Sequence, residues 1–374
     1  MIKKIAYPRI SIAGNPSDGF WGSCISACFL NFKTESTIKS SNKFILKNYK
    51  SILKIKNINL LKKIFALFPT KEFNNSLEKH KLALAVIKTF FDFCKLNNID
   101  FDIKPFKLEY KSNIPYSCGF SGSTALSISI LRALDEFYKT NIHPRDFEAM
   151  ALHAETHELE RIAGPQDSLT VNNEDFLYMD FSKDSYKSES KNENLLALNE
   201  AVIHLDYSKK EAYLKNQPVE DNGKVRYTAI PKIEKIPVKE LPFFIITKGD
   251  GNDSSKELSN RADSYRKKEE KTINAMKRLT YLSKLAKKAI LNYDVYELGK
   301  IIDENFEISV SLDKNILPEE DVKLIRIVQN IGANAKFPGS SGAVLGLYPS
   351  EEIFQKIKKY FSNKRYNIEK VVLA

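Results

Sequence analysis

The chain has 374 residues, 43% of them hydrophobic and 28% charged, which is more than one core usually organises, so two domains are expected. Its 58 Lys and Arg exceed its 47 Asp and Glu, a net charge of +11, yet the lysines are spread along the whole chain without a basic stripe, which argues against a nucleic-acid module. No apolar run approaches the roughly 20 residues that cross a bilayer; Cys24, Cys28, Cys94 and Cys118 form no Cys-x-x-Cys motif, so the reading is of a cytoplasmic protein with reduced thiols and no structural zinc or membrane partner.

In chain order, residues 1–30 read as strands and turns, with Arg9 to Asp18 a strand running into a turn. Phe44 to Leu67 alternates lysines with apolar residues ambiguously, and Asn75 to Leu96 has helical spacing. Phe106, Leu108 and Tyr110 alternate as in a strand. Leu126, Ile130, Leu131, Leu134 and Tyr138 recur as in a helix, with the small, hydroxyl-rich run Asn113–Ala125 between them. Pro144 suits the first turn of another helix, expected to continue through Ala149 to Arg161 towards Gly164, with Asp167 just beyond it at a turn. The polar tract Ser182–Asn199 reads as a mobile insertion. Leu241–Thr247 is an apolar strand, followed by lysine-rich helices between Lys256 and Asp303 and a helix from Leu324 to Ile331. Near the end, Gly332, Gly339, Gly342 and Gly346 cluster in a chain with only 14 glycines, which points to close backbone approach, or more simply to a tight turn.

The Asn113–Ala125 run reads as an anion-binding loop. Its glycines let the backbone approach a ligand, and the helix it opens offers unpaired N–H groups and the positive end of its dipole, which suits a phosphate. An ordinary glycine-containing strand-to-helix turn is the alternative. His153 and His157 lie one helical turn apart, but no third ligand motif accompanies them and HAETH is not H-E-x-x-H, so they read as ordinary helix residues. No G-x-x-x-x-G-K-[ST] sequence is present, which argues against a conventional P-loop.

Taken together, Arg9–Asp18, Asn113–Ala125 and Ala335–Leu347 resemble, in order, the three motifs of the GHMP kinases, the superfamily of galactokinase, homoserine kinase and mevalonate kinase. Gly14-Asn15-Pro16-Ser17-Asp18, Gly119-Phe120-Ser121-Gly122-Ser123-Thr124-Ala125 and Lys336-Phe337-Pro338-Gly339-Ser340-Ser341-Gly342-Ala343-Val344 are most similar to the glucuronokinase branch. Glu158-Leu159-Glu160-Arg161-Ile162-Ala163-Gly164-Pro165-Gln166-Asp167 resembles that branch's Glu-Leu-Gly-Ile-Val-Ala-Gly-Leu-Gln-Asp.

The resemblance implies an α+β fold of two lobes. An N-terminal α/β lobe with a left-handed βαβ unit is expected over 1–225, carrying the insertion at about 182–199, and a C-terminal ferredoxin-like lobe over 226–374. It implies ATP and Mg²⁺, with a small-molecule sugar as acceptor and the protein a monomer or homodimer. Gly119, Ser121, Gly122, Ser123 and Thr124 would cradle the phosphates, completed by Gly339, Ser340, Ser341 and Gly342. Ser123 and Glu158 would hold the metal, Asp167 would orient or deprotonate the attacking hydroxyl, and Arg9, Asn15, Asp18 and Asp167 would bind substrate. The implied reaction is phosphorylation of D-glucuronate at its anomeric hydroxyl. The alternatives are a GHMP kinase for a neutral hexose or another small alcohol, and a noncatalytic sugar- or nucleotide-binding relative. Two arginines of the pattern are absent, since Tyr116-Ser117 stands where it has Arg-Gln and Ser23 where it has Arg. Arg9, Lys248, Lys256, Arg161 and Arg261 are the candidates to replace them at a carboxylate.

Overall fold

The computed structural model describes residues 1–68, 73–189, 219–221, 224–226, 231–249 and 255–374. Strands β1 (Ile2–Ala6), β2 (Arg9–Ala13), β3 (Ser23–Cys28), β4 (Thr34–Ser40), β5 (Phe44–Lys47) and β6 (Ile52–Ile55) lead into helices α1 (Ile58–Phe65), α2 (Asn75–Glu78) and α3 (Lys81–Leu96). Strand β7 (Phe106–Ser112) then feeds α4 (Gly122–Tyr138), α5 (Pro144–His153), α6 (Pro165–Asn173), β8 (Phe176–Asp180) and α7 (Lys183–Glu189). A short hairpin, β9 (Val219–Asp221) with β10 (Lys224–Arg226), and β11 (Lys232–Lys235) precede β12 (Phe243–Thr247). Four helices follow: α8 (Ser255–Arg266), α9 (Glu270–Leu291), α10 (Val295–Asp313) and α11 (Glu319–Ile331). The chain closes with β13 (Asn334–Lys336), β14 (Ala343–Leu347), α12 (Glu351–Phe361) and β15 (Asn367–Lys370).

The first sheet runs β1-β4-β7-β5-β6, with β5 and β7 parallel and the other pairs antiparallel. Strand β7 alternates as its sequence requires, Phe106, Leu108 and Tyr110 turning inward, where they join Ile38, Phe44, Phe90, Leu131 and Leu134 in one core. Helix α4 packs across β1 and β4 on that core. It stops at Lys139, which takes a left-handed conformation and donates its N–H to the Asp135 carbonyl.

The second sheet, β11-β8-β3-β2, is antiparallel throughout. Every residue of β2 and β3 is buried, because α6 packs on these strands as do α9 and α10; a strand covered on both faces reads as a continuous run of apolar and small residues. In the third sheet, β13-β14-β12-β15, all neighbours are antiparallel. With its helical connections, that order is the ferredoxin-like arrangement expected for the second lobe. Ile10, Ile12, Ile25 and Phe120 share a core with Phe243, Ile245, Leu279, Leu282 and Leu345, so apolar packing fixes the two halves against each other. The C-terminus also returns to the first half: Leu30 donates its N–H to the Val372 carbonyl at 2.7 Å, and Ala374 donates to Cys28 at 3.1 Å.

Three expectations are corrected. The helix begun at Pro144 does not run to Arg161; it passes into a single π-type turn over Ala154–Glu158, closed by the Leu159 N–H on the Ala154 carbonyl. Asp167 lies in the first turn of α6, with Pro165 at the helix start where its missing N–H costs nothing. The front of the polar tract is packed: Lys183–Glu189 is helical and Tyr186 is fully buried, its ring edge-on to Trp21 at 5.8 Å. One aromatic anchor outweighs the polar composition around it; from residue 190 to 199 the tract lies outside the described residues. Among the described residues no helix is long and apolar enough to cross a membrane.

Candidate active site

The three motif loops meet at Arg9. This residue leaves β2 almost fully buried, and its guanidinium donates from Nε and Nη2 to Asp167 Oδ1 at 2.9 and 2.7 Å. Its Nη1 donates to the Gly119 carbonyl at 2.5 Å and the Pro338 carbonyl at 3.0 Å. One planar cation thus ties together the first strand, the phosphate-type loop, the last glycine loop and the aspartate, a use of the rigid donor fork that lysine could not reproduce. Glycine is required at the crossing. A Cβ on Gly119, whose φ is +71°, would stand 2.6 Å from the Ser340 carbonyl oxygen, and one on Gly339 would stand 2.5 Å from the Gly119 carbonyl oxygen.

Helix α4 begins at Gly122 after Ser121 in a left-handed conformation, and no side chain caps it. Its first N–H groups are therefore left without a side-chain acceptor among the described residues. Ser121 and Gly122 are half-buried at this end, and a Cβ added at Gly122 would stand 3.3 Å from the Ile114 side chain, a tight contact. Thr124 Oγ1 donates to Glu155 Oε1 at 3.3 Å, and the neighbouring Ser123 side chain lowers the Glu155 pKa. The last glycine loop divides its hydroxyls: Ser341 is buried and bonded to Glu257 Oε1 at 2.6 Å, so its side chain is directed at α8, while Ser340 stays half-buried beside Gly119. Gly342 takes φ +107° and leads into β14.

The carboxylate beside Ser123 is thus Glu155, where the sequence reading has Glu158. Glu158 accepts from Lys88 Nζ at 2.5 Å and lies 3.8 Å from His153 Nε2, facing α3 instead of the α4 terminus. The π-type turn that contains both residues sets which of them points to the loop, and periodicity at α-helical spacing carries no sign of it. Burial raises the pKa of both carboxyls; Ser123, Arg161 and Thr124 pull Glu155 down, and Lys88 pulls Glu158 down. His153, His157 and Glu158 do bring three possible ligand atoms within 4.8 Å of one another, with the imidazoles stacked at 4.5 Å. Lys88 already supplies the cation there, and burial, His157 and Lys88 together hold His153 well below the usual imidazole range. The group reads as a buried Lys88–Glu158 ion pair with the two stacked imidazoles beside it.

Asp18 and Asn15, both expected at the substrate, have different fates. Asp18 is buried against Gln166, whose Nε2 donates to Oδ1 at 3.2 Å, and Gly164 is in such close contact that a Cβ there would stand 2.1 Å from Oδ2. Burial and the neighbouring Asp167 charge push the Asp18 carboxyl up to about 7, against the Gln166 bond and the Arg9 charge. Asn15 is committed elsewhere: its Nδ2 donates to the Gly339 carbonyl at 3.2 Å and its Oδ1 accepts from Lys336 Nζ at 2.7 Å. Lys336 is almost completely buried and donates as well to the carbonyls of Ser11 at 2.8 Å and Phe337 at 2.8 Å. Among the described residues no carboxylate is bonded to it; burial and the charges of Arg9 and Arg261 drive its pKa well below the ordinary lysine range. The Gly14 N–H is fixed by Asn305 Oδ1 at 2.9 Å. Lys336, Asn305, Glu257 and Glu155 are the site-shaping residues that sequence reasoning missed, three because they act from outside the quoted motifs or through their backbone neighbours.

Residues 81–171 match the family model described as the GHMP kinases N terminal domain. Over 347 residues the chain is 27% identical to "Probable glucuronokinase 2" of Arabidopsis thaliana, an alignment covering 92% of this chain and 83% of that protein. Among solved structures it superposes on the Methanococcus jannaschii mevalonate kinase with TM-score 0.69 at 17% identity, covering 100% of this chain and 98% of the other. It superposes on the Lactococcus lactis galactokinase, solved with galactose, with TM-score 0.70 at 13% identity over 99% and 93% of the two chains. Residues 81–171, which include the uncapped start of α4, thus match the GHMP kinase N-terminal domain, and the chain over most of its length is similar to small-molecule kinases of that superfamily.

Proposed function

We propose that the protein is an ATP-dependent sugar 1-kinase that phosphorylates the anomeric hydroxyl of an acidic hexose, D-glucuronate before others. The observation that carries this reading is the Arg9-held Asp167, set in the first turn of α6 beside the buried Asp18 and joined through Arg9 to both glycine loops. The likeness to a glucuronokinase over most of the chain favours the uronate among sugars.

In this reading the backbone N–H groups at Gly119 to Thr124 receive the phosphates, and Gly339, Ser340 and Gly342 close the far side, with Ser341 bracing the loop on Glu257. The donors beside the loop fit Mg²⁺: Ser123 and the buried Glu155 carboxylate are hard oxygen ligands, and two protein ligands suffice for an ion that keeps water and phosphate oxygens. When bound, the ion would neutralise charge on the transferring phosphoryl group.

Asp167 accepts the acceptor hydroxyl's hydrogen bond and aims that oxygen at the γ-phosphate. Arg9 holds Oδ1 in place, so the contribution of Asp167 is alignment together with uptake of the proton as the new P–O bond forms. Asp18, buried beside Asp167, would bond a ring hydroxyl. Phosphoryl transfer needs little covalent work from the protein, so alignment and charge are the whole demand.

A sugar panel with product analysis tests the reading: glucuronate 1-phosphate should form, and Asp167→Asn should lower kcat on the order of 10²-fold or more with ATP binding retained. Turnover of mevalonate, homoserine or another non-sugar alcohol with no sugar turned over would overturn the substrate class.

A further inference from the structure

A site for an acidic sugar must meet the sugar's carboxylate with a cation, since a desolvated, unpaired carboxylate costs more than its binding returns. The two arginines of the resembled pattern are replaced by Tyr116-Ser117 and Ser23, so another cation has to serve. Arg9 is spent on Asp167 and two carbonyls. Arg261 is buried, bonded through Nε to Asp313 Oδ2 at 2.5 Å, and beside Glu257 at 3.9 Å. Lys248 is ion-paired with Asp321 and stands 3.9 Å from Glu320. The Lys256 side chain lies outside the described residues.

Arg161 differs from these. It is exposed, and among the described residues its side chain makes no hydrogen bond or ion pair. It sits on the short loop between the π-type turn and α6, the segment that links three acidic groups of the site. Its backbone N–H donates to the Glu155 carbonyl at 2.9 Å, and its charge is felt by the Glu155 carboxyl. Gly164, on the same loop, lies against Asp18, and Asp167 follows in the next helix. In the resembled pattern quoted above, isoleucine stands where this chain has Arg161. Among the described residues, a guanidinium without a side-chain partner therefore occurs on the loop that sets Gly164 against Asp18 and leads to Asp167, in a chain that lacks the pattern's other arginines.

We propose that Arg161 is a specificity-determining residue that receives the acceptor's carboxylate, a planar anion matched to its paired N–H donors. The proposal rests on the acidic-sugar reading above. The experiment measures kcat and KM for glucuronate, glucose and ATP in the wild type, Arg161→Gln, Arg161→Lys and Lys256→Gln. In Arg161→Gln the preference for glucuronate over glucose should fall about 10-fold or more, mainly through the glucuronate KM, as expected for losing a charge-assisted bond. Arg161→Lys should recover part of it. An unchanged preference, an equal loss on both sugars, a comparable rise in the ATP KM, or the same loss in Lys256→Gln alone would overturn the assignment. Wild-type behaviour separates the two levels of failure. A wild type that uses glucuronate while Arg161→Gln keeps its preference overturns Arg161 only; a wild type with no preference for glucuronate overturns the acidic-sugar reading and this assignment with it.

Discussion

The charges on the outer helices and those in the cleft behave as two populations. On α11 and α12, Lys323 pairs with Glu319 and Lys356 with Glu352, each at 2.7 Å, one helical turn apart and largely exposed; such pairs are screened by water and salt and fold no loop. In the cleft, Arg9 reaches Asp167 and Pro338, and Lys336 reaches Ser11 and Asn15, all far away in the chain and, but for the half-buried Asp167, buried. The excess of lysine that dominates the composition is mostly of the first kind. The few charges that shape the site are of the second, where desolvation makes each bond necessary once the charge is inside.

The sharpest way to break this comparison is inside one helical turn. Glu155→Gln should lower kcat on the order of 10²-fold, because it removes the charge beside Ser123, whereas Glu158→Gln should mainly lower stability by leaving Lys88 short of a partner. Steady-state rates per folded molecule decide it, and the reverse ranking would return the metal role to Glu158. Next in size, Lys336→Met should cost on the order of 2 kcal/mol in urea unfolding, as acceptors at Ser11, Asn15 and Phe337 lose their donor, and activity should fall further than stability because Asn15 and Gly339 shift. A fully active Lys336→Met would show that the clamp does not position the loops.

Asp18 gives a pH signature. Its carboxyl sits at about 7 in the fold against 3.8 ordinarily, so the folded state holds a proton that the unfolded chain has released. The stability this supplies is full below the ordinary value and is lost as pH rises through about 7. Asp18→Asn should flatten the fall in stability between about pH 4 and 7, read from urea midpoints; parallel curves for variant and wild type would contradict the assignment. The smallest effect is expected on the surface: Lys323→Gln should leave the thermal midpoint and the sugar kinetics where they were, and a clear drop in either would erase the distinction between the two populations.

Much of the fold was legible from periodicity. The alternation of Phe106, Leu108 and Tyr110, and the helical recurrence from Leu126 to Tyr138, give β7 and α4 because each pattern has one face to bury. The glycines of the two loops were legible as places of close approach, and Gly119 and Gly339 do lie against each other's backbones. The helix past His153 was misread because a π-type turn has no distinct residue signature, and that turn directs Glu158 at Lys88. Tyr186 was hidden within a polar tract, since composition averages over the one residue that packs.

The sequence by itself determined the loops, the elements beside them and the resemblance to the GHMP kinases, since these depend on neighbours within a turn or two. Only the tertiary structure decided which glutamate faces Ser123, that Asn15 is held by Lys336 and Gly339, and that, among the described residues, Arg161 makes no side-chain bond while Arg9 and Arg261 are committed. Those outcomes depend on which polar groups are buried together. Burial forces each such group to find a partner, and the partners come from distant parts of the chain that local patterning does not encode.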